Sequence, residues 1–173
     1  MRRTLASLNP QEALHVAIFI EERNAGIYHR FAGMFTEFRD PDSLEIASVF
    51  WDMAVEERRH STALQEKYQE RYGNAGCALT EEDPQDMIEV PRLDDGDVFA
   101  DSATAQDSAR ERAVKVALAE RTKPTELLLA PGRADQRHPL RRLYNELATM
   151  EDGHMAHLEN VLSTSASEDK GVH

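Results

Sequence analysis

The sequence of 173 residues lacks the features that mark secreted and membrane proteins. It has one cysteine, Cys77, which excludes a disulfide or a two-cysteine metal site within the chain. No apolar run approaches the roughly 18 residues of a transmembrane helix. The apolar segment of a secretory signal is also missing after the basic residues Arg2 and Arg3. We therefore expect a cytoplasmic protein without a membrane partner.

Positive charge and aromatic residues are also scarce. The formal net charge is −12, which argues against non-specific binding to nucleic acid. Aromatic residues make up 6% of the chain and alternating runs of β-branched residues are few, so no segment predicts a strand. Hydrophobic residues make up 40%, and the chain is long enough for one sizeable core. These features predict an all-α protein.

The first predicted helix is marked by a start signal and an apolar stripe. Asn9 can cap a helix, Pro10 suits its first position, and Glu12 suits its third. Apolar residues then recur at a spacing of three or four, which predicts a helix over 10–38.

The second predicted helix follows after a short turn. Asp42 with Glu45 resembles a capping box, and Gly73 provides a stop, so a helix is expected at about 43–72. Because the connection between the two helices is short, they should be antiparallel neighbours.

The second half of the chain repeats this arrangement after a long acidic connection. Residues 74–102 are interpreted as a solvated crossover, followed by a helix at about 103–130. A fourth helix should begin at Pro139 and end at about 162, and the tail at 163–173 is expected to be disordered. The predicted fold is an up-down four-helix bundle over residues 1–162, with a long crossover between its second and third helices.

The pattern A-x-x-E-x-x-H-x-x-x-L occurs once in each half of the chain. On a helix, residues three apart share a face, so Glu57 lies beside His60 and Glu151 beside His154. The alanine and the leucine of the pattern lie on the same face. Each pair of glutamate and histidine is therefore expected to face the apolar core. A carboxylate and an imidazole in such a position need a partner, and a metal ion is one.

The other helix of each half has one glutamate within its apolar stripe. These glutamates are Glu21 in the first helix and Glu120 in the third. Glu22 is the alternative to Glu21, but it falls on a more polar face. We favour Glu21 for its stripe position.

Four carboxylates and two imidazoles are thus expected to converge. Oxygen ligands with imidazole suit iron or manganese, and zinc less well. Two divalent ions would bring four positive charges, which four carboxylates balance. The predicted ligands are Glu21, Glu57, His60, Glu120, Glu151 and His154.

This ligand set resembles that of the ferritin-like di-iron carboxylate superfamily, and in particular its rubrerythrin and bacterioferritin branch. The resemblance covers residues 10–162. It implies two iron ions as cofactors. In the family pattern, Glu57 and Glu151 would bridge the ions, Glu21 and His60 would complete one ion, and Glu120 and His154 the other.

The resemblance also implies a function. The protein would be an oxidoreductase, either a ferroxidase or a reductase of O2 or H2O2 with an unknown electron donor, and would form a homodimer or a larger homo-oligomer. Tyr28, seven residues after Glu21, matches a family tyrosine near the metals, so a catalytic role is expected for it. This spacing also favours Glu21 over Glu22. Two departures from rubrerythrins are Lys123, which replaces a second glutamate of the third helix, and the missing four-cysteine rubredoxin domain.

Other interpretations of these residues stay open. The protein can be a non-enzymatic iron-binding or storage protein, or a helical scaffold with a relic metal site. Buried carboxylates can also pair with basic residues, but those that adjoin the ligands in sequence, Lys123 among them, are expected to point to other faces. Glu12 and His15 also fit E-x-x-H and are expected to form a surface pair. A hydrogen bond that Glu56 accepts from a ligand histidine is a further option.

Overall fold

The structure is a computed structural model, and it describes residues 7–79, 84, 103–129, 145, 154–160 and 163. Within residues 103–129 it describes the side chains of 109–120, 123 and 127. The described residues form helices and contain no strand, which confirms the predicted all-α class. None of these helices has a stretch that is long and apolar enough to cross a bilayer.

Three long helices have nearly the bounds that the sequence predicts. Residues 154–160 are also helical, within the range of the predicted fourth helix. Predictions for Pro139, for most of the crossover and for the tail after Ser163 lie outside the described residues, so the up-down bundle arrangement stays a prediction. The long helices are α1 (Pro10–Phe38), α2 (Pro41–Tyr72) and α3 (Ala103–Leu129).

Helix α1 starts where the sequence predicts, and this start is a capping box. The Asn9 side chain accepts the Glu12 N–H at 2.9 Å, and the Glu12 carboxylate accepts the Asn9 N–H at 2.9 Å. Glu12 is buried, so the predicted surface pair with His15 is wrong. The physical reason is that Glu12 turns back into the first turn of the helix to satisfy a backbone donor.

The cap of α2 differs from the prediction. Asp40, and not Asp42, caps the helix, and its side chain accepts the Ser43 N–H at 2.9 Å. The helix therefore begins at Pro41 rather than at position 43. An acidic or amide residue followed by proline starts α2 as it starts α1. Gly73 ends α2 as predicted, with φ 56°, and its N–H donates to the Gln69 carbonyl at 2.9 Å.

Two apolar clusters hold the helices together. The first surrounds Phe50, whose ring stacks on Phe35 at 5.8 Å and meets Phe31 edge-on at 5.1 Å. Side chains of α3 and of residues 154–160 pack into this cluster, so all four helical segments contribute to it. The second cluster lies toward the start of α1 and includes Leu14, Ile20, Leu64, Leu79 and Leu127.

A layer of buried polar residues separates the two clusters along each long helix. In α1, α2 and α3 these residues fall between the residues that belong to the second cluster and those that belong to the first. A buried polar layer is stable only when its polar groups have hydrogen-bond or charged partners. The residues of the layer therefore determine which ions it can bind. The layer contains Glu21, Asn24, Glu57, His60, Ser61 and Glu120.

Asp40 also connects the start of α2 to α3. Its Oδ1 accepts a hydrogen bond from Arg110 Nη2 at 2.7 Å, and Arg110 donates to Ser43 Oγ at 2.9 Å. Burial raises the pKa of Asp40, but its hydrogen bonds with Ser43 and the charge of Arg110 outweigh burial and hold the pKa below its ordinary value.

We expect Asp40→Ala to lower the free energy of unfolding at neutral pH by about 1 kcal/mol for the lost cap, with a further loss because Arg110 no longer faces this carboxylate. Asp40→Asn keeps a capping oxygen and loses only the charge. Because the folded pKa is lowered, the advantage of Asp40 over asparagine is present above about pH 4 and disappears as the pH falls through the folded pKa. Urea unfolding across this pH range measures both effects.

The Asp40→Asn variant serves as the control for the cap. A difference in unfolding free energy between wild type and Asp40→Asn that stays constant from about pH 6 to about pH 2 would contradict the ion pair with Arg110.

Candidate metal centre

Three predicted ligands meet in the polar layer between α1 and α2. Glu21 comes from α1, and Glu57 and His60 come from one face of α2. Their relative exposures are 2%, 3% and 2%, so all three are buried. Each offers one ligand atom, and these atoms lie within 4.8 Å of one another. The three residues therefore form a group that can hold a metal ion.

The distances in this group suit a single ion. His60 Nδ1 lies 3.5 Å from Glu21 Oε2 and 3.9 Å from Glu57 Oε2. Two atoms bound to one divalent ion at about 2.1 Å lie about 3 Å apart at a right angle and about 4 Å apart on opposite sides of the ion. An ion can thus be accommodated with small shifts of the side chains.

The charge of this group also suits a divalent ion. Two ionised carboxylates away from water need two positive charges to balance them, and a neutral imidazole can serve as a third ligand without changing that balance. Two carboxylate oxygens and one imidazole nitrogen are ligands that iron and manganese accept, and zinc as well. The residues present therefore fit the metal ion that the sequence implies.

The structure distinguishes the two neighbouring glutamates of α1. Glu21 points into the buried group, whereas Glu22 is exposed. The Glu22 carboxylate accepts hydrogen bonds from Gln65 Nε2 at 2.7 Å and from Ser61 Oγ at 3.2 Å. Glu22 thus connects α1 to α2 beside the candidate site without being part of it.

Glu120 lies in the polar layer but has cationic partners there. It is 1% exposed, and its two oxygens accept hydrogen bonds from Arg23 Nη2 and, at 2.6 Å, from Lys123 Nζ. The expectation that Lys123 points to another face was wrong, because the spacing of three residues that joins Glu57 to His60 also joins Glu120 to Lys123. Burial lowers the pKa of Arg23, although the Glu120 carboxylate opposes this shift.

Arg23 is a residue that the sequence analysis missed. It lies two residues after Glu21 and donates to a carboxylate of another helix. It follows the buried Ile20 by three residues and precedes the buried Ile27 by four, and this helical spacing is the signal that could have drawn attention to it.

The fourth helical segment contributes His154 at the edge of the layer. Its Nδ1 lies 3.2 Å from Glu56 Oε2, and both side chains are partly exposed. This is the contact between Glu56 and a predicted ligand histidine that the sequence left open. Among the described residues, His154 and Glu120 do not join the buried group of Glu21, and Glu151 lies outside the described residues.

Tyr28 is buried where α1 meets α3. Its hydroxyl donates to the Ala117 carbonyl at 3.5 Å, and its ring lies 6.0 Å from that of Phe50. The charge of its ionised form would raise the pKa of Arg23, against the effect of burial. The predicted catalytic role of Tyr28 stays a prediction.

Comparisons of the chain with protein-family models, with curated protein sequences and with solved structures found no match. The resemblance to ferritin-like proteins therefore rests on the repeated motif and the two inward glutamates. Membership of that superfamily stays a prediction, and the geometry of the site is the evidence on which a function can be proposed.

We expect Glu21→Gln to lower the affinity for Co²⁺ by at least about 100-fold, because residues that only support a ligand already change metal affinity by about 10- to 100-fold. Glutamine keeps the size of the side chain and removes the charge of the ligand. Equilibrium dialysis followed by elemental analysis measures the affinity. Glu22→Gln is the matched control and should bind Co²⁺ as wild type does; equal losses in the two variants would show that overall charge, and not this site, determines binding.

Proposed function

We propose that the protein is an iron-binding oxidoreductase of the ferritin-like type, which oxidises ferrous iron, reduces O2 or H2O2, or does both at a dinuclear site. The observation that supports this proposal is the buried group of Glu21, Glu57 and His60, whose atoms lie at distances suited to one ion. Manganese or zinc can occupy the same ligands, and the repeated Glu-x-x-His motif favours iron.

The side chains of this group have distinct roles in the proposal. When bound, iron would supply the redox chemistry toward O2 or H2O2, since its ferrous and ferric states differ by one electron. Glu21 and Glu57 are anionic ligands, and their charge favours the more positive ferric state in a site shielded from water. His60 is the nitrogen ligand of the group, and it is buried in the polar layer between the two apolar clusters.

The second ion of the proposed dinuclear site would use the ligands of the second half of the chain. Glu120 and His154 would bind it, and Glu57 and Glu151 would bridge the two ions. Glu120 supports this proposal because it lies in the same polar layer, between the two apolar clusters. We also propose a catalytic role for Tyr28, whose buried hydroxyl can transfer a proton.

Iron oxidation tests the proposal directly. Protein loaded with ferrous iron without oxygen, and then mixed with air-saturated buffer, should consume O2 faster than the same iron in buffer. We expect Glu57→Ala to lower this rate about tenfold or more, to that of free iron, because the variant loses a ligand. An oxygen electrode measures the uptake, and Glu66→Ala, which changes an exposed glutamate of α2, is the matched control.

Two results would favour the other interpretations. Uptake at the rate of free iron, together with an assembly that holds many more irons than its number of sites, would favour a storage protein. A protein that is folded without bound iron, and whose melting temperature does not change on addition of a chelator, would favour a helical scaffold with a relic site.

We further propose that the chain associates with itself through the outer face of α1 and α2. Trp51 is 51% exposed, and Leu44 and Val55 are exposed on the same face of α2. A groove of about 520 Å³ is lined by Leu44, Trp51 and Gly33. Exposed apolar patches of this kind often mark interfaces. We expect Trp51→Glu to lower the sedimentation coefficient toward that of a monomer, whereas Lys115→Glu on α3 should leave it unchanged; a wild-type protein that is monomeric at high concentration would contradict this proposal.

A further inference from the structure

The buried carboxylate of Glu120 is bound by two cations of the chain itself. Arg23 of α1 donates to Oε2, and Lys123 of α3 donates to Oε1 at 2.6 Å. The Arg23 side chain is 10% exposed, and that of Lys123 is 30% exposed. Together the two side chains carry two positive charges, which is the charge of one divalent metal ion. Both oxygens with which Glu120 could bind a metal are therefore engaged by protein cations.

We propose that Arg23 and Lys123 take the place of a second metal ion at Glu120. The protein then binds one divalent ion tightly at Glu21, Glu57 and His60, and a second ion only when these two side chains leave Glu120. This inference rests on the proposed function, since it concerns the order in which the ions of that site bind.

The geometry of α1 places a ligand and a cation on opposite sides of the same helix turn. Residues two apart on a helix point about 200° apart, so Glu21 and Arg23 face different neighbours. Glu21 reaches the ligands of α2, while Arg23 reaches Glu120 of α3. One turn of α1 thus provides both a ligand for the first ion and the cation that occupies the position of the second.

The basic residues that face the buried carboxylates, His60 and Arg23, differ in what they can offer a metal. The imidazole of His60 has nitrogen atoms that bind metals, so the residue that lies between Glu21 and Glu57 can itself become a ligand. The guanidinium of Arg23 has five donors and no acceptor, so it can only compete with a metal for Glu120. Glu21 and Glu57 are therefore suited to a metal ion, whereas Glu120 is suited to cations of the protein.

Binding of a second metal ion at Glu120 has two unfavourable free-energy terms. The ion would break the contacts of a buried carboxylate with two hydrogen-bonded cations, and it would be repelled by their positive charges at short range. The apparent affinity of such a site is reduced by the fraction of molecules in which Glu120 is released. If that fraction is below about one in ten, the second ion binds more than about tenfold more weakly than it would to the released site.

Removal of the two cations tests this inference. The variant is Arg23→Gln with Lys123→Gln, and the probe is Co²⁺ in equilibrium dialysis with elemental analysis. Wild type should bind one Co²⁺ per chain tightly and a second more weakly, whereas the double variant should bind the second at least about tenfold more tightly than wild type. Arg30→Gln with Lys115→Gln removes the same charge from exposed positions and should resemble wild type.

Three outcomes would overturn the inference. Two Co²⁺ ions of equal affinity in wild type would overturn it and leave the proposed function intact. A second affinity in the double variant that does not exceed that of the control would also overturn it. Wild-type protein that binds no Co²⁺ would overturn the proposed function itself, and the inference with it.

Thermal unfolding gives a second readout that does not depend on counting ions. Without metal, the double variant should melt below its control, because Glu120 stays buried without its cations. Co²⁺ should raise the melting temperature of the double variant more than that of wild type, since the ion restores the missing charge. An equal or smaller rise would overturn the inference. Lys123→Gln alone, which keeps Arg23, should show the same effects to a smaller extent.

Discussion

Burial of a carboxylate away from water costs several kcal/mol unless hydrogen bonds or positive charges compensate for it. The described part of the chain buries four glutamates: Glu12, Glu21, Glu57 and Glu120. Glu12 is compensated by a backbone N–H in the first turn of α1, and Glu120 by an arginine and a lysine. Glu21 and Glu57 face His60 at distances that a metal ion can bridge. The need to compensate each buried carboxylate therefore explains the contacts within the polar layer.

Because Glu120 is compensated differently from Glu21 and Glu57, the polar layer has two chemically different parts. Around His60, every ligand atom can bind a metal, and the charges of the two carboxylates match a divalent ion. At Glu120 the positive charge belongs to the protein and cannot act as a ligand. Helices that carry the predicted residues of a symmetric dinuclear site can therefore differ in what they offer a metal in the two halves. In the proposed redox function, the number of bound ions, and with it the number of electrons that can be delivered together, would depend on the contacts of Glu120.

Rigid elements on both sides determine the geometry of the layer. The aromatic cluster around Phe50 lies on one side, and the aliphatic cluster with Leu14 and Leu64 lies on the other. The caps of α1 and α2 define where each helix begins, and Asp40 attaches α3 to the same turn. A ligand set drawn from separate helices needs such support, because small errors in helix position would separate the ligand atoms.

The sequence by itself determined the helices and which of their faces are buried. Periodicity and capping residues gave bounds close to those of α1, α2 and α3, and they identified Glu21, Glu57, His60 and Glu120 as buried. These properties follow from local geometry, since a helix with known start and spacing has a defined apolar face. The sequence left the partners of the buried groups undetermined.

Only the tertiary structure decided what each buried group meets. It placed Arg23 against Glu120 and Glu56 against His154, although neither pair is close in sequence. Helical periodicity tells which way a side chain points and does not tell which residue of another helix lies opposite, because that depends on the packing and relative shift of the helices. For the same reason the repeated motif indicated two equal half-sites, whereas the packed helices bring together the ligands of one half and pair Glu120 of the other with cations of the chain.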